Sequence, residues 1–192
     1  AGVLSVGHAA FFGIGAYVAA LTTLRLGVPA EWAFLAAGLA TAAFATVCYW
    51  PTIRLSGHTV ALATLAIGQI IYLVFLNWLD VTRGPMGIPG IQRPPLGLTG
   101  TSMVSLTAQY WQALALLALA VAFAYALVNS SIGRAWRAIR EDRLAAHCSG
   151  VPVPRYLSMA FAASGFLAGL AGAQFAFLQN IVVPESFTID TS

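Results

Sequence analysis

The sequence predicts an all-α integral membrane protein, folded as a polytopic bundle of transmembrane helices. Only 8% of the residues are charged, 59% are apolar, and the mean hydropathy is +0.83. Soluble domains have roughly 25% charged residues, and a chain this apolar has too little polar surface to cover a water-soluble globule. The net charge of +3 is no argument for nucleic-acid binding, because the arginines fall in connections that set membrane topology.

Five segments are long enough to cross a hydrocarbon core of about 30 Å, which takes about 20 helical residues. They are approximately Val3–Leu24, Trp32–Trp50, Val60–Leu79, Ala108–Val128 and Leu157–Leu178. Four tryptophans lie at predicted span ends, where indole rings favour the membrane interface. We therefore expect one transmembrane domain over residues 1–192.

Small residues predict that some of these helices pack closely. The first span carries a stripe of Ala9, Gly13, Ala16 and Ala20. The last span carries Gly165 and Gly169 in a GxxxG arrangement. Small side chains let helix backbones approach each other in a membrane, so the spans are expected to form a bundle.

The connections assign the two sides of the membrane. Residues 80–107 form a long connection rich in glycine and proline, and residues 129–155 form a charged one. If the charged connection is cytoplasmic, six of the nine arginines lie inside and three lie outside, which obeys the positive-inside rule. The first residue is then expected inside, and Ser192 and the 80–107 connection in the periplasm or exterior.

The charged connection contains the strongest indication of function. Its four most closely grouped arginines are spaced three apart, at Arg134, Arg137, Arg140 and Arg143. Arginines offer charged hydrogen bonds to partner carboxylates, and minimal alanine side chains further along would let a partner surface come close. We interpret the segment as a helical docking site for a soluble partner. The alternative is that the arginines only set topology and contact lipid phosphates.

Several chemistries are excluded by residue type. The chain has no lysine, so it cannot build a P-loop or a Schiff-base site. Two cysteines, Cys48 and Cys148, support neither a disulfide framework nor a zinc site. The predicted topology separates Asp80 from His147, which leaves no hydrolytic triad. We expect no catalytic, cofactor or metal site, and any ATP hydrolysis must occur on another subunit.

Uncharged polar residues at membrane depth are candidates for a pathway or for contacts between helices. They are His8, Thr64, Gln69 and Asn77. Both interpretations stay open for each of them. No acidic residue lies deep in a predicted span, which argues against an ion-coupled carrier.

Several blocks of sequence, in order along the chain, resemble the branched-chain amino acid ABC transporter permeases. They are LSVGHAAFFGIGAY (4–17), ALATLA (61–66), TRGPMGIP (82–89), GRAWRAIRED (133–142), AGLAGA (168–173) and PESF (184–187). The resemblance covers most of the chain. It implies an inner-membrane permease subunit of an ABC importer and a non-enzymatic role in transport. We interpret the chain as an internal piece of a longer permease.

The resemblance also implies the partners. A homologous permease subunit would complete the pathway, two ATP-binding cassette ATPases would attach on the cytoplasmic side, and a periplasmic binding protein would deliver substrate. A coupling helix for the ATPase would match Glu141 to Gly150, with Glu141, Ala145, Ala146 and Gly150 as the motif positions. The segment 147–149 departs from the family pattern. Urea or short amides remain an alternative cargo, and an ion-coupled carrier or intramembrane enzyme a less supported alternative class.

Overall fold

The computed structural model describes residues 8–52, 58–91 and 106–187, which are predominantly helical. The described helices are α1 (His8–Leu26), α2 (Ala30–Thr52), α3 (His58–Asn77), α4 (Leu79–Thr82), α5 (Leu106–Asn129), α6 (Ser131–Glu141), α7 (Arg143–Cys148) and α8 (Val153–Gln179). Five of them, α1, α2, α3, α5 and α8, are long and apolar enough to cross a membrane. The predicted fold class is thereby confirmed.

The span boundaries differ from the predicted ones by a few residues. The predicted start at Val3 lies outside the described residues. The third span ends at Asn77 rather than Leu79, because Trp78 leaves helical geometry with φ −86° and ψ 71°. The last span begins one turn before Leu157, at Val153, since Pro154 is tolerated in the first helical turn, where its missing N–H is not needed.

The core of the bundle is formed by α1, α2 and α8, which pack through small residues. A Cβ atom added to Gly172 of α8 would lie 2.0 Å from the carbonyl oxygen of Phe12 in α1. A Cβ added to Gly169 would lie 2.7 Å from the carbonyl oxygen of Ala37 in α2. Such contacts suit a membrane bundle, where close van der Waals packing replaces the hydrophobic effect between helices.

The other two spans lie around this core. α3 packs against α1, and the ring centroids of Tyr17 and Phe75 lie 4.4 Å apart. α5 lies at the edge of the bundle. The most apolar 18 residues of its span have no buried residue. It meets α8 through Phe123 and Phe166, with ring centroids 5.9 Å apart.

The chain turns back into the bundle after α8. Two short strands, β1 (Ile88–Pro89) and β2 (Ile181–Val182), pair antiparallel. A 3-10 helix, Pro184–Phe187, follows and places the Phe187 ring against Phe12. We call residues 181–187 the return segment. The glycine-rich connection expected at 80–107 is thus partly a structured element, because Gly87 at φ +66° lets its backbone approach the Val182 carbonyl.

Candidate functional site

The arginine-rich connection begins with an amphipathic helix, α6, that folds back against the end of α5. A Cβ atom on Gly133 would lie 2.0 Å from the carbonyl oxygen of Val128, so only glycine allows this approach. Ile139 is 1% exposed on the inner face of α6. The predicted docking arginines Arg137 and Arg140 are exposed on its outer face. The arrangement presents positive charge to the outside while the apolar face holds the helix on the bundle.

A hydrogen bond fixes α6 to the first turns of α8. The indole Nε1 of Trp136 donates to the carbonyl oxygen of Tyr156 at 2.7 Å. The bond joins residues 20 positions apart and is partly buried. The position of the arginine face is therefore tied to the beginning of a membrane-spanning helix.

The predicted coupling helix from Glu141 to Gly150 is divided in the structure. Glu141 is the last residue of α6, and Asp142 has extended geometry with φ −152° and ψ 116°. The Asp142 carboxylate accepts hydrogen bonds from the backbone N–H groups of Leu144 (2.7 Å) and Ala145 (3.1 Å), which caps α7. Asp at an N-cap satisfies N–H groups that a helix start leaves free. The expected single helix is wrong in its boundaries, because the cap starts a new helix.

The two alanines of the motif face opposite ways on α7. Ala145 is exposed, as is the neighbouring Leu144 at 74%. Ala146 is 5% exposed and belongs to a buried cluster, which we call the relay cluster: Tyr49, Ile139, Ala146, Leu157 and Phe161. Within it the rings of Tyr49 and Phe161 stack at 4.7 Å. The outer face of α7 is thus free for contact, and its inner face packs directly on α2 and α8.

Beside α7 lies a cavity of about 360 Å³. Its lining combines the ends of α2 and α8 with the basic side chains of Arg143 and His147. At Gly150, φ of +81° ends this region and turns the chain toward α8. A side chain of a partner that entered this cavity would meet positive charge and an apolar wall.

The polar residues predicted within the spans are dispersed. His8 Nε2 lies 2.7 Å from Ser164 Oγ, joining α1 to α8. Thr64 is buried, and its hydroxyl donates to the Ala61 carbonyl oxygen at 2.9 Å. Asn77 is exposed and donates from Nδ2 to the Leu73 carbonyl oxygen at 2.7 Å. The first contact joins two helices, and the other two lie within α3. The structure does not gather the four predicted residues into one site.

The remaining predicted residues are Gln69, which lies on the surface, and the two glycines of the GxxxG pair, which lie in a helix contact. Gln69 is exposed on α3. A Cβ on Gly165 would lie 2.6 Å from the Cβ of Ala45, so the GxxxG pair makes a helix contact with α2. Both Gly165 and Gly169 therefore serve packing in this bundle.

Sequence reasoning missed two polar residues inside the bundle and one exposed acid beside it. Within the described residues, the hydroxyl of Tyr17 and Oε1 of Gln174 are buried without a hydrogen-bond partner. The return segment places the Phe187 ring 6.1 Å from that of Tyr17 and leaves Glu185 exposed two residues before it. The signal for Glu185 was the PESF block at 184–187, but a local pattern gives no indication that the chain turns back into the bundle.

Fold and site together define a polytopic helical membrane protein with a charged helical platform at one end. No metal-binding group of three or more His, Cys, Asp or Glu side chains is found among residues 8–52, 58–91 and 106–187. A sequence model of the family described as "Branched-chain amino acid transport system / permease component" matches residues 1–192. The chain belongs to this family, which places it among transport permeases rather than enzymes.

Individual relatives agree with this assignment. The chain is 34% identical over 212 residues to the high-affinity branched-chain amino acid transport system permease protein LivM of Escherichia coli K12, covering 100% of this chain and 50% of that protein. LivM of Salmonella typhimurium is 33% identical over the same length. LivH of Escherichia coli K12 is 26% identical over 204 residues, covering 95% of this chain and 64% of LivH. The chain spans about half the length of the LivM relatives, and no solved structure matches it.

Proposed function

We propose that this chain is the membrane-spanning part of a permease subunit in an ATP-driven importer of branched-chain amino acids. The observation that carries the proposal is the family match over residues 1–192, together with similarity to LivM over the whole chain. Pairing with a homologous permease, attachment of two ATPase subunits and delivery of cargo by a periplasmic binding protein are parts of this proposal.

The orientation follows from charge. We place α6, α7 and the start of α8 at the cytoplasmic face, because they carry Arg134, Arg137, Arg140, Arg143 and Arg155. The β1–β2 pair and the end of α8 then face the periplasm. In this orientation the exposed face of α7 meets a cytoplasmic ATPase.

The relay cluster supports a mechanism for coupling. Ile139 of α6 and Ala146 of α7 are buried against Leu157 of α8 in the same cluster. Close-packed side chains transmit displacement because they cannot be compressed independently. A shift of α7 driven by ATPase closure is therefore passed to α2 and α8, whose packing with α1 forms the core of the bundle.

Uptake of labelled leucine tests the cargo. Cells that lack their own permease would receive the full-length gene with its operon partners, and unlabelled isoleucine, valine or urea would compete. We expect isoleucine and valine, but not urea, to block leucine uptake. Accumulation of urea without leucine uptake would contradict the proposed cargo, and leucine uptake driven by an ion gradient without ATP would contradict the proposed energy source.

A substitution on the exposed face of α7 tests the docking role. Ala145→Trp places bulk where a partner must approach the backbone, so we expect loss of ATPase co-purification and of leucine uptake. Ala122→Trp, at an exposed position within α5, adds the same bulk where a soluble ATPase cannot reach. Equal ATPase recovery with both variants would contradict docking at α7.

A further inference from the structure

The open cavity beside α7 has one largely apolar wall and one basic wall. The apolar wall includes Tyr49 near the end of α2 and Val153 and Leu157 at the start of α8. The basic wall consists of Arg143 and His147 on α7. The cavity volume of about 360 Å³ far exceeds the roughly 30 Å³ that one water molecule occupies. The cavity can therefore hold part of a larger molecule.

Arg143 brings a positive charge to this cavity that no neighbouring acid neutralises. Among the arginines of the described ranges it is the one that is half-buried, while the others are exposed. The carboxylate of the adjacent Asp142 accepts hydrogen bonds from the N–H groups of Leu144 and Ala145. No ion-pair partner of Arg143 occurs in the described part of the chain. Since a partly buried charge is costly without a partner, the cavity favours an anion.

The cavity lies where the spanning segments end. The spans Ala30–Trp50 and Val153–Gln179 end and begin at this cavity, respectively. Trp50 is 77% exposed, as suits an indole ring at a membrane interface. The helix that carries the two basic side chains, α7, lies beyond the ends of both spans. The apolar wall is thus on the hydrocarbon side of the cavity, and the basic wall is on the headgroup side.

We propose that this cavity binds one anionic phospholipid of the cytoplasmic leaflet, a role that goes beyond the proposed function and depends on it only for the orientation of α7. The Arg143 guanidinium and the His147 imidazole donate hydrogen bonds to the headgroup phosphate. An acyl chain lies against Val153 and Leu157. Basic pockets between spanning helices on the cytoplasmic side suit anionic headgroups, and a guanidinium can bind a phosphate through two hydrogen bonds.

The lipid and the ATPase would use different sides of α7. Arg143 and His147 are four residues apart and share one side of the helix. Ala145, two residues after Arg143, lies about 200° away around the helix axis. The lipid would also contact Tyr49 and Leu157, which belong to the relay cluster. The bound lipid therefore supports the contact of α7 with α2 and α8.

Photolabelling of the complete transporter complex tests the site. The probe is a phosphatidylglycerol with a diazirine on one acyl chain, titrated in phosphatidylcholine nanodiscs, and mass spectrometry measures labelling of residues 153–157. We expect Arg143→Gln to weaken apparent binding about tenfold or more, because a hydrogen bond to a charged group is lost. Arg143→Lys should restore part of it, since the charge remains without the bidentate geometry.

Arg155→Gln is the matched control, because it removes the same charge at an exposed position of the same bundle end. It should weaken labelling less than about fivefold, the contribution of one basic residue near an anionic surface. Equal effects of Arg143→Gln and Arg155→Gln would overturn the site. Val153→Trp adds bulk to the apolar wall and leaves every charge in place, so it should also reduce labelling. Ala122→Trp on α5 should not, and thermal unfolding midpoints check the folding of both variants.

Competition identifies the source of the phosphate. Unlabelled phosphatidylglycerol should displace the probe, whereas inorganic phosphate and additional phosphatidylcholine should not. Displacement by inorganic phosphate would indicate a site for the free anion and overturn the lipid proposal. Labelling of the permease subunits that disappears when the ATPase binds would assign the cavity to an ATPase carboxylate instead. A labelled wild-type complex without leucine transport would overturn the proposed function and leave the lipid site standing.

Discussion

Gly15 of α1 and Gly169 of α8 meet backbone to backbone: a Cβ atom on Gly15 would lie 2.4 Å from the Gly169 carbonyl oxygen. No real side chain tolerates this distance, so the contact exists only because both residues lack a Cβ. The stripe predicted for α1 did not include Gly15. Its member Gly13 contacts Phe75 and Phe187 instead.

Adding side-chain atoms at Gly15 should push α1 away from α8. We expect Gly15→Val to lower the free energy of unfolding in detergent by about 1–3 kcal/mol or more, since added carbons must displace backbone. The measurement is the thermal unfolding midpoint of the purified protein. Ala122→Val, at an exposed position on α5, is the control. A midpoint unchanged by Gly15→Val would contradict the close approach.

The Trp136 hydrogen bond should determine how firmly α6 is held. Trp136→Phe keeps an aromatic ring but leaves the Tyr156 carbonyl oxygen without its donor, at a cost of about 1–3 kcal/mol. We expect ATP hydrolysis by the assembled complex to become less tightly linked to uptake, measured as ATP consumed per leucine imported. Trp111→Phe, exposed near the start of α5, should leave this ratio unchanged.

If Asp142 acts as the N-cap of α7, replacing it with alanine and with asparagine should have different effects on the stability of that helix. Asp142→Ala removes the acceptor for two N–H groups of α7 and should cost about 0.5–2 kcal/mol. Asp142→Asn keeps an oxygen acceptor and should retain most of the capping. Recovery of ATPase subunits with the permease would fall for the alanine variant and persist for the asparagine variant. Equal losses in both would indicate that the charge, rather than the cap, matters.

The proposed orientation predicts which residues a membrane-impermeant maleimide can reach. In a Cys48→Ala background, the exposed thiol of Cys148, the last residue of α7, should react only in inside-out vesicles. Met86→Cys, at a residue that is 84% exposed beyond α3, in a Cys48→Ala, Cys148→Ala background should react only in right-side-out vesicles. The reverse pattern would contradict the topology derived from arginine counts.

The sequence by itself determined the class of the protein and the number of spans. Apolar segments of spanning length are a local property, so the helices appear within a few residues of their predicted bounds. The family motifs are also local, and the family match confirms them. The concentration of arginines at one connection is likewise visible in the sequence alone.

Only the tertiary structure decided how these parts face one another. Asp142 divides the expected coupling helix because its side chain caps backbone groups, a choice that helical periodicity does not encode. Ala146 turns inward because Tyr49 and Phe161, more than 100 positions apart, stack beside it. Phe187 reaches Tyr17 because the chain returns to the bundle after β2 pairs with β1. Each of these depends on contacts between distant segments, and no local pattern specifies such contacts.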